Sequence, residues 1–133
     1  MTLRTILAVA IGGVLGTAAR LGLDTVLPHP PDAFPWSTLI VNVVGSLVLG
    51  FVVARVWPVA PEWLRAGLGA GVLGSFTTFS AVAVSMIELP LLIAAVYLAV
   101  SVVLGLVAAL LGLRLGRRSD AASTRAPIDL VNE

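Results

Sequence analysis

Four long apolar runs follow one another along this chain: Ile6 to Leu23, interrupted only by Arg20, then Ala33 to Ala54, Ala66 to Ile87, and Leu89 to Leu113. Each is close to the ~20 residues that a helix needs to cross the hydrocarbon of a bilayer. The pattern predicts an all-α membrane protein with spans at about 4–26, 34–56, 65–87 and 89–113. Those spans use almost the whole sequence as one compact membrane module. The polar, mixed-charge stretch 119–133 is expected to be a disordered cytoplasmic tail.

The third run departs from a plain span. Gly71-Val-Leu-Gly-Ser-Phe-Thr-Thr-Phe-Ser80 sets two glycines and four hydroxyl residues in ten positions. Backbone N–H and C=O groups in hydrocarbon must be bonded internally, so irregular backbone survives only where protein buries it or a wet cavity reaches it. The third helix is therefore expected to be broken at membrane depth, with carbonyls and hydroxyls turned toward an ion.

Small residues four apart recur as Gly12/Gly16, Gly67/Gly71, Ala70/Gly74 and Ser101/Gly105, a spacing that lets helix backbones approach closely in lipid. Pro90 suits the first position of the fourth helix, and Pro28, Pro30, Pro31 and Pro35 stiffen the first loop. Trp36, Trp57 and Trp63 fall at span ends and read as headgroup-level anchors. The opening Met1-Thr-Leu-Arg4 and the run after it resemble a secretory signal. Gly12, Gly13 and Gly16 interrupt that run, and three further spans follow, so it is expected to be a first span instead.

Composition sharpens this picture and excludes much chemistry. Of 133 residues 59% are hydrophobic and only 11% charged, well below the ~25% typical of soluble domains. With no cysteine, disulfides, iron–sulfur clusters and thiolate metal sites are excluded; the single histidine, His29, lies in the Pro-rich loop. A net charge of +1 gives no nucleic-acid footprint. Paired carboxylates, a Ser–His pair and a metal cluster are all missing from the spans, so no enzyme is expected.

Arg4, Arg55, Arg65, Arg114, Arg117, Arg118 and Arg125 fall on one side of the predicted topology. The 24–35 loop and the Glu88–Pro90 turn on the other side hold none. The positive-inside rule then places both termini in the cytoplasm, in one fixed orientation.

The polar residues within spans are the candidates for function. Arg20 is either a functional charge at a pore mouth or a snorkelling side chain paired with Asp24 one turn on. The Asn42 amide, with two donors and an acceptor, serves either as interhelical glue or as a donor to a dehydrating anion. Thr77, Thr78 and Ser80 offer hydroxyls that otherwise bond back to the preceding turn. Phe76 and Phe79 offer positive ring edges to an anion, or fill space. Freed carbonyls near Gly74 and Thr77 would suit a cation. Tyr97 and Ser101, one turn apart, place two more hydroxyls on one face of the fourth span.

Three blocks together resemble the Fluc (CrcB-type) fluoride channels: Gly12-Gly-Val-Leu-Gly16-Thr-Ala-Ala-Arg20, Ser37-Thr-Leu-Ile-Val-Asn42-Val-Val-Gly-Ser46, and Gly71-Val-Leu-Gly-Ser-Phe-Thr-Thr-Phe-Ser80. With Tyr97-Leu-Ala-Val-Ser101 the likeness covers nearly residues 3–116. The resemblance implies an antiparallel dimer with two fluoride pores in a bacterial cell membrane, passively exporting cytoplasmic fluoride. It also implies a structural Na⁺ at the dimer interface, held by the backbone carbonyls of Gly74 and Thr77. By the same resemblance Asn42, Phe79, Ser80, Thr78, Tyr97 and Ser101 line the fluoride path, and Arg20 is the charge at its mouth.

Two positions depart from the family pattern: Val82 stands where a second Phe is usual, and Ser85 where an acidic residue is usual. Together with the one-sided arginines they predict a heterodimer with a related subunit of opposite orientation. Competing readings are a non-conducting partner subunit and a small multidrug exporter. The exporter would need a carboxylate inside the membrane, and the first span has none.

Overall fold

Thr2 starts the first helix, α1 (Leu3–Val26), by accepting the Thr5 N–H on its side-chain oxygen. This computed structural model describes residues 2–27 and 34–123, and among them the chain is helical with no strand. The prolines at 28, 30 and 31, His29, and the expected tail beyond residue 123 lie outside the described residues. The second helix, α2, runs Trp36–Arg55. The third span is assembled from α3 (Glu62–Ala66), a π-helical stretch Gly67–Leu73, one turn α4 (Gly74–Phe76), and α5 (Phe79–Glu88). The last helix, α6, runs Leu91–Ser123. Among the described residues, four segments are long and apolar enough to cross a membrane.

Two boundaries differ from the sequence expectation. Pro90 precedes α6 instead of opening it, and its carbonyl accepts the Ala94 N–H at 2.9 Å. The helix then continues to Ser123, through residues 119–123 where polar composition suggested disorder. No Gly or Pro lies between Gly116 and Ser123 to stop it, and Ala121-Ala122 favour helix.

Two seams of small residues hold the bundle. Along the first, α1 lies against the third span: a Cβ on Gly12 would strike the Gly67 carbonyl oxygen, and one on Gly16 the Val72 carbonyl oxygen. The Gly12/Gly16 and Gly67/Gly71 pairs therefore face each other, as their spacing suggested. Along the second, α2 and α6 meet where Gly50 would strike the Ala109 carbonyl oxygen and Gly112 that of Leu47. Ala70 and Gly74, by contrast, are exposed, and a Cβ on Gly74 would meet only the Gly69 carbonyl of its own span.

Where α2 begins, α5 ends and α6 begins, Leu39, Val82, Leu89, Ala94 and Tyr97 form a buried cluster. Phe34 closes it, with its ring edge-on to Tyr97 at 5.3 Å. Trp36 is exposed as an interfacial anchor should be. Trp57 instead packs against Gly69, and its Nε1 is buried without a hydrogen-bond partner. Trp63 lies beneath the Arg4 guanidinium, 4.2 Å from carbon to ring centroid.

Candidate functional site

The third span changes its hydrogen bonding before it breaks. Over Gly67–Leu73 it widens into a π-helix, and the Gly74 N–H reaches back to the carbonyls of Gly69 and Gly71. Such π turns are rare and cluster at functional sites. Four residues after Leu73, Thr77 ends the turn: both its N–H (3.0 Å) and its Oγ1 (2.9 Å) bond to the Leu73 carbonyl. Thr77 and Thr78 are then extended (ψ 152° and ψ 115°), and the helix resumes at Phe79.

Asn42, from the middle of α2, clamps the gap. Its Oδ1 accepts the Thr78 N–H at 2.8 Å, and its Nδ2 donates to the Thr78 carbonyl at 3.0 Å. The Thr78 side chain caps α5 by accepting the Ala81 N–H at 3.1 Å, and shares a hydrogen bond with Ser80 Oγ at 3.0 Å. In an unbroken α-helix the Thr78 N–H would bond the Gly74 carbonyl, and the Ala81 N–H that of Thr77. Both donors are committed to side chains here. The carbonyls of Gly74 and Thr77 thus lose their helical partners, while the first N–H groups of α5 face the gap as at any helix start.

A cavity lies against this backbone on either side. One, of about 330 Å³, is bordered by Asn42, Gly74, Thr77, Phe79 and Ser101 among others. The other, of about 600 Å³, is bordered by Arg20, Asp24, Ser80, Ser85 and Glu88. Thr78 borders both. The helix break is the partition between them.

The expected site residues therefore fall into groups. Asn42, Gly74, Thr77, Thr78, Phe79 and Ser101 meet around the smaller cavity; Ser80 and Arg20 lie on the larger one. Arg20 and Asp24 share that cavity without forming an ion pair. Tyr97 is fully buried at 0% exposure and borders neither cavity. Its hydroxyl is directed at Ser101 and Thr38, but neither the Tyr97 Oη nor the Ser101 Oγ has a well-formed hydrogen bond. Phe79 projects outward, 77% exposed.

Several residues escaped the sequence reading. Ser46 borders the smaller cavity and Thr38 the larger. Gly45 leaves room for Thr77, whose Cγ2 a Cβ there would overlap. Glu88, which the sequence assigned to a turn, ends α5 on the same cavity as Arg20. Of the two departures from the family pattern, Val82 is buried in the Tyr97 cluster and borders the smaller cavity. Ser85 bonds back to the Ala81 carbonyl at 2.9 Å.

The profile of the family described as CrcB-like protein, Camphor Resistance (CrcB), matches residues 7–113. The chain is 39% identical over 119 residues to "Fluoride-specific ion channel FluC 1" of Rhodococcus jostii (strain RHA1), covering 90% of each protein. It is 40% identical over 117 residues to "Fluoride-specific ion channel FluC" of Paracoccus denitrificans (strain Pd 1222), covering 85% of this chain and 94% of that one. A third relative, "Fluoride-specific ion channel FluC" of Novosphingobium aromaticivorans, is 43% identical over 122 residues, covering 82% and 93%. With the family profile matching residues 7–113 and relatives near 40% identical over most of both lengths, the chain belongs to the CrcB-like family, a family of ion channels and not of enzymes.

Proposed function

We propose that this chain is a subunit of a fluoride-specific channel that passively exports cytoplasmic fluoride across the cell membrane. The observation that carries this reading is the Asn42-clamped break at Thr77–Thr78, which borders two cavities that bring hydroxyl, amide and charged side chains into an otherwise apolar bundle. Arg20 draws anions toward the larger cavity. The Thr78, Ser80 and Ser101 hydroxyls, the remaining Asn42 N–H and the Phe79 ring edge then replace hydration in steps. None of these groups is a full charge, so no single position traps the ion, as conduction requires. Tyr97, buried with its hydroxyl toward Ser101, orients that wall of the path.

Fluoride efflux from liposomes holding the purified chain, alone and then with its closest paralogue, tests this function. The Asn42, Thr77, Thr78 and Ser101 polar groups in the cavity beside the outward Phe79 cannot face lipid without cost, which supports an antiparallel dimer that covers them. The arginine bias supports both termini in the cytoplasm and a partner of opposite bias. Efflux is expected from the pair and only background from the chain alone. Robust efflux from the chain alone would overturn the obligate partner while leaving the channel reading intact. No efflux from either would contradict the channel reading. A multidrug exporter is disfavoured because Asp24 and Glu88 sit at helix ends and no carboxylate lies mid-span.

A structural Na⁺ fits the released Gly74 and Thr77 carbonyls, since unwound backbone at a broken membrane helix suits such an ion. When bound, it would supply a fixed positive charge that ties two broken helices together. Replacing Na⁺ by N-methyl-glucamine during purification is expected to lower the melting temperature of the wild-type assembly. An unchanged melting curve would count against the Na⁺.

A further inference from the structure

On the face of α1 away from the cavities, a groove of about 240 Å³ runs between α1 and the third span. Its walls are almost wholly apolar, with Ala8, Ile11 and Leu15 on one side and Leu64, Leu68 and Val72 on the other. Trp63 closes one end, and the guanidinium of Arg4 lies on that indole. From Arg4 to Leu15 is eleven residues of helix, about 16 Å at 1.5 Å per residue. That is one leaflet of a hydrocarbon core ~30 Å thick. Ile11 and Leu15 remain exposed along it. Glu62, the nearest acidic residue in sequence, borders a different cavity together with Arg65.

From these observations we infer that the groove is a binding site for an anionic phospholipid. The phosphate sits on Arg4 and one acyl chain lies along α1. Three features favour this occupant over bulk lipid. The cation is held by its cation–π contact, so little side-chain freedom is lost when a phosphate arrives. The groove begins at the Trp63 ring that carries this cation, and from Arg4 to its far end at Leu15 is about one leaflet. The same side of the topology carries the other loop arginines, where an anionic headgroup is favoured. The floor of the groove is the Gly12–Gly67 contact, so a bound chain would brace the seam that supports the π-helix.

Native mass spectrometry of the purified full-length chain, given phosphatidylglycerol and phosphatidylcholine of matched chains, tests the site. The wild type is expected to retain the anionic lipid about fivefold better, the preference one arginine near the surface supports. Arg4→Gln should remove that preference, and Arg4→Lys should keep part of it. Leu68→Trp, which fills the groove, should weaken both lipids. Equal retention of both lipids by the wild type, which needs no variant, would overturn the proposal. So would an Arg4→Gln protein that keeps its preference. Soluble glycerol phosphate binding as well as the whole lipid would mean that the groove plays no part. A Leu68→Trp protein that changes subunit stoichiometry but not lipid retention would mean that a second copy covers the groove. None of these readouts depends on fluoride flux.

Discussion

Replacing Asn42 with alanine is expected to lower fluoride flux to background, by roughly 100-fold or more. Asn42 holds Thr78 by two bonds, at 2.8 and 3.0 Å. Without it the Thr78 N–H and C=O are left unpaired, at about 1–3 kcal/mol for each buried group. The cheapest repair is local: the Thr78 N–H swings back to the Gly74 carbonyl and rebuilds an α-turn. That repair closes the break, withdraws a carbonyl, and moves the hydroxyl of Thr78 off the partition between the cavities. A loss of ~3 kcal/mol in the open geometry corresponds to about a hundredfold fall in its population. Thr78→Val is the instructive comparison. It deletes the cap to Ala81 and the bond to Ser80, at about 1 kcal/mol, but leaves the backbone clamp in place. Flux through it should fall much less than through Asn42→Ala. Flux measured on liposomes, with folded yield checked by size exclusion, separates the cases. Equal losses in both variants would show that the Thr78 hydroxyl matters and the clamp does not.

Gly112→Val is expected to leave little folded protein. Its Cβ would fall on the Leu47 carbonyl oxygen of α2, and a carbonyl fixed in a helix cannot swing aside as a side-chain tip can. The helices must separate along the whole α2–α6 seam, which membrane packing resists because close van der Waals contact is its main source of stability. Overpacking of this kind costs about 1–3 kcal/mol or more, a large share of the stability of a small bundle. Two controls distinguish seam from sequence. At Gly22 nothing lies within 4 Å of an added Cβ, and at Gly105 only Ser46 Oγ approaches, at 3.6 Å. Gly22→Ala and Gly105→Ala should therefore express near wild type. A Gly112→Val protein with unchanged yield and melting temperature would contradict the seam.

The spans were legible because a run of about twenty apolar residues with hardly a charge matches the thickness of a bilayer and little else. The break was legible because glycines and hydroxyls interrupt such a run at one place. What closes the break was not. Asn42 lies 36 residues before Thr78, and an amide mid-span reads as glue or as an ion ligand until its partners are seen. The geometry shows it bonded on both sides of the Thr78 residue, with one N–H left over. The π-helix escaped because its glycine-rich sequence carries no distinct period. The second seam escaped because Gly50, Gly112 and Gly116 pair across helices, and their meaning depends on register. Trp57 read as a surface anchor from its place at a span end, yet it lies against Gly69, a contact only the return of the third span creates.

The most direct test is efflux of fluoride against chloride from liposomes carrying the chain with its closest paralogue, with valinomycin present to balance charge. Rapid fluoride loss and little chloride loss are expected, with the fluoride loss abolished when the chain carries Asn42→Ala. Equal release of both anions, or fluoride release indifferent to Asn42, would contradict a fluoride path built on the clamped break.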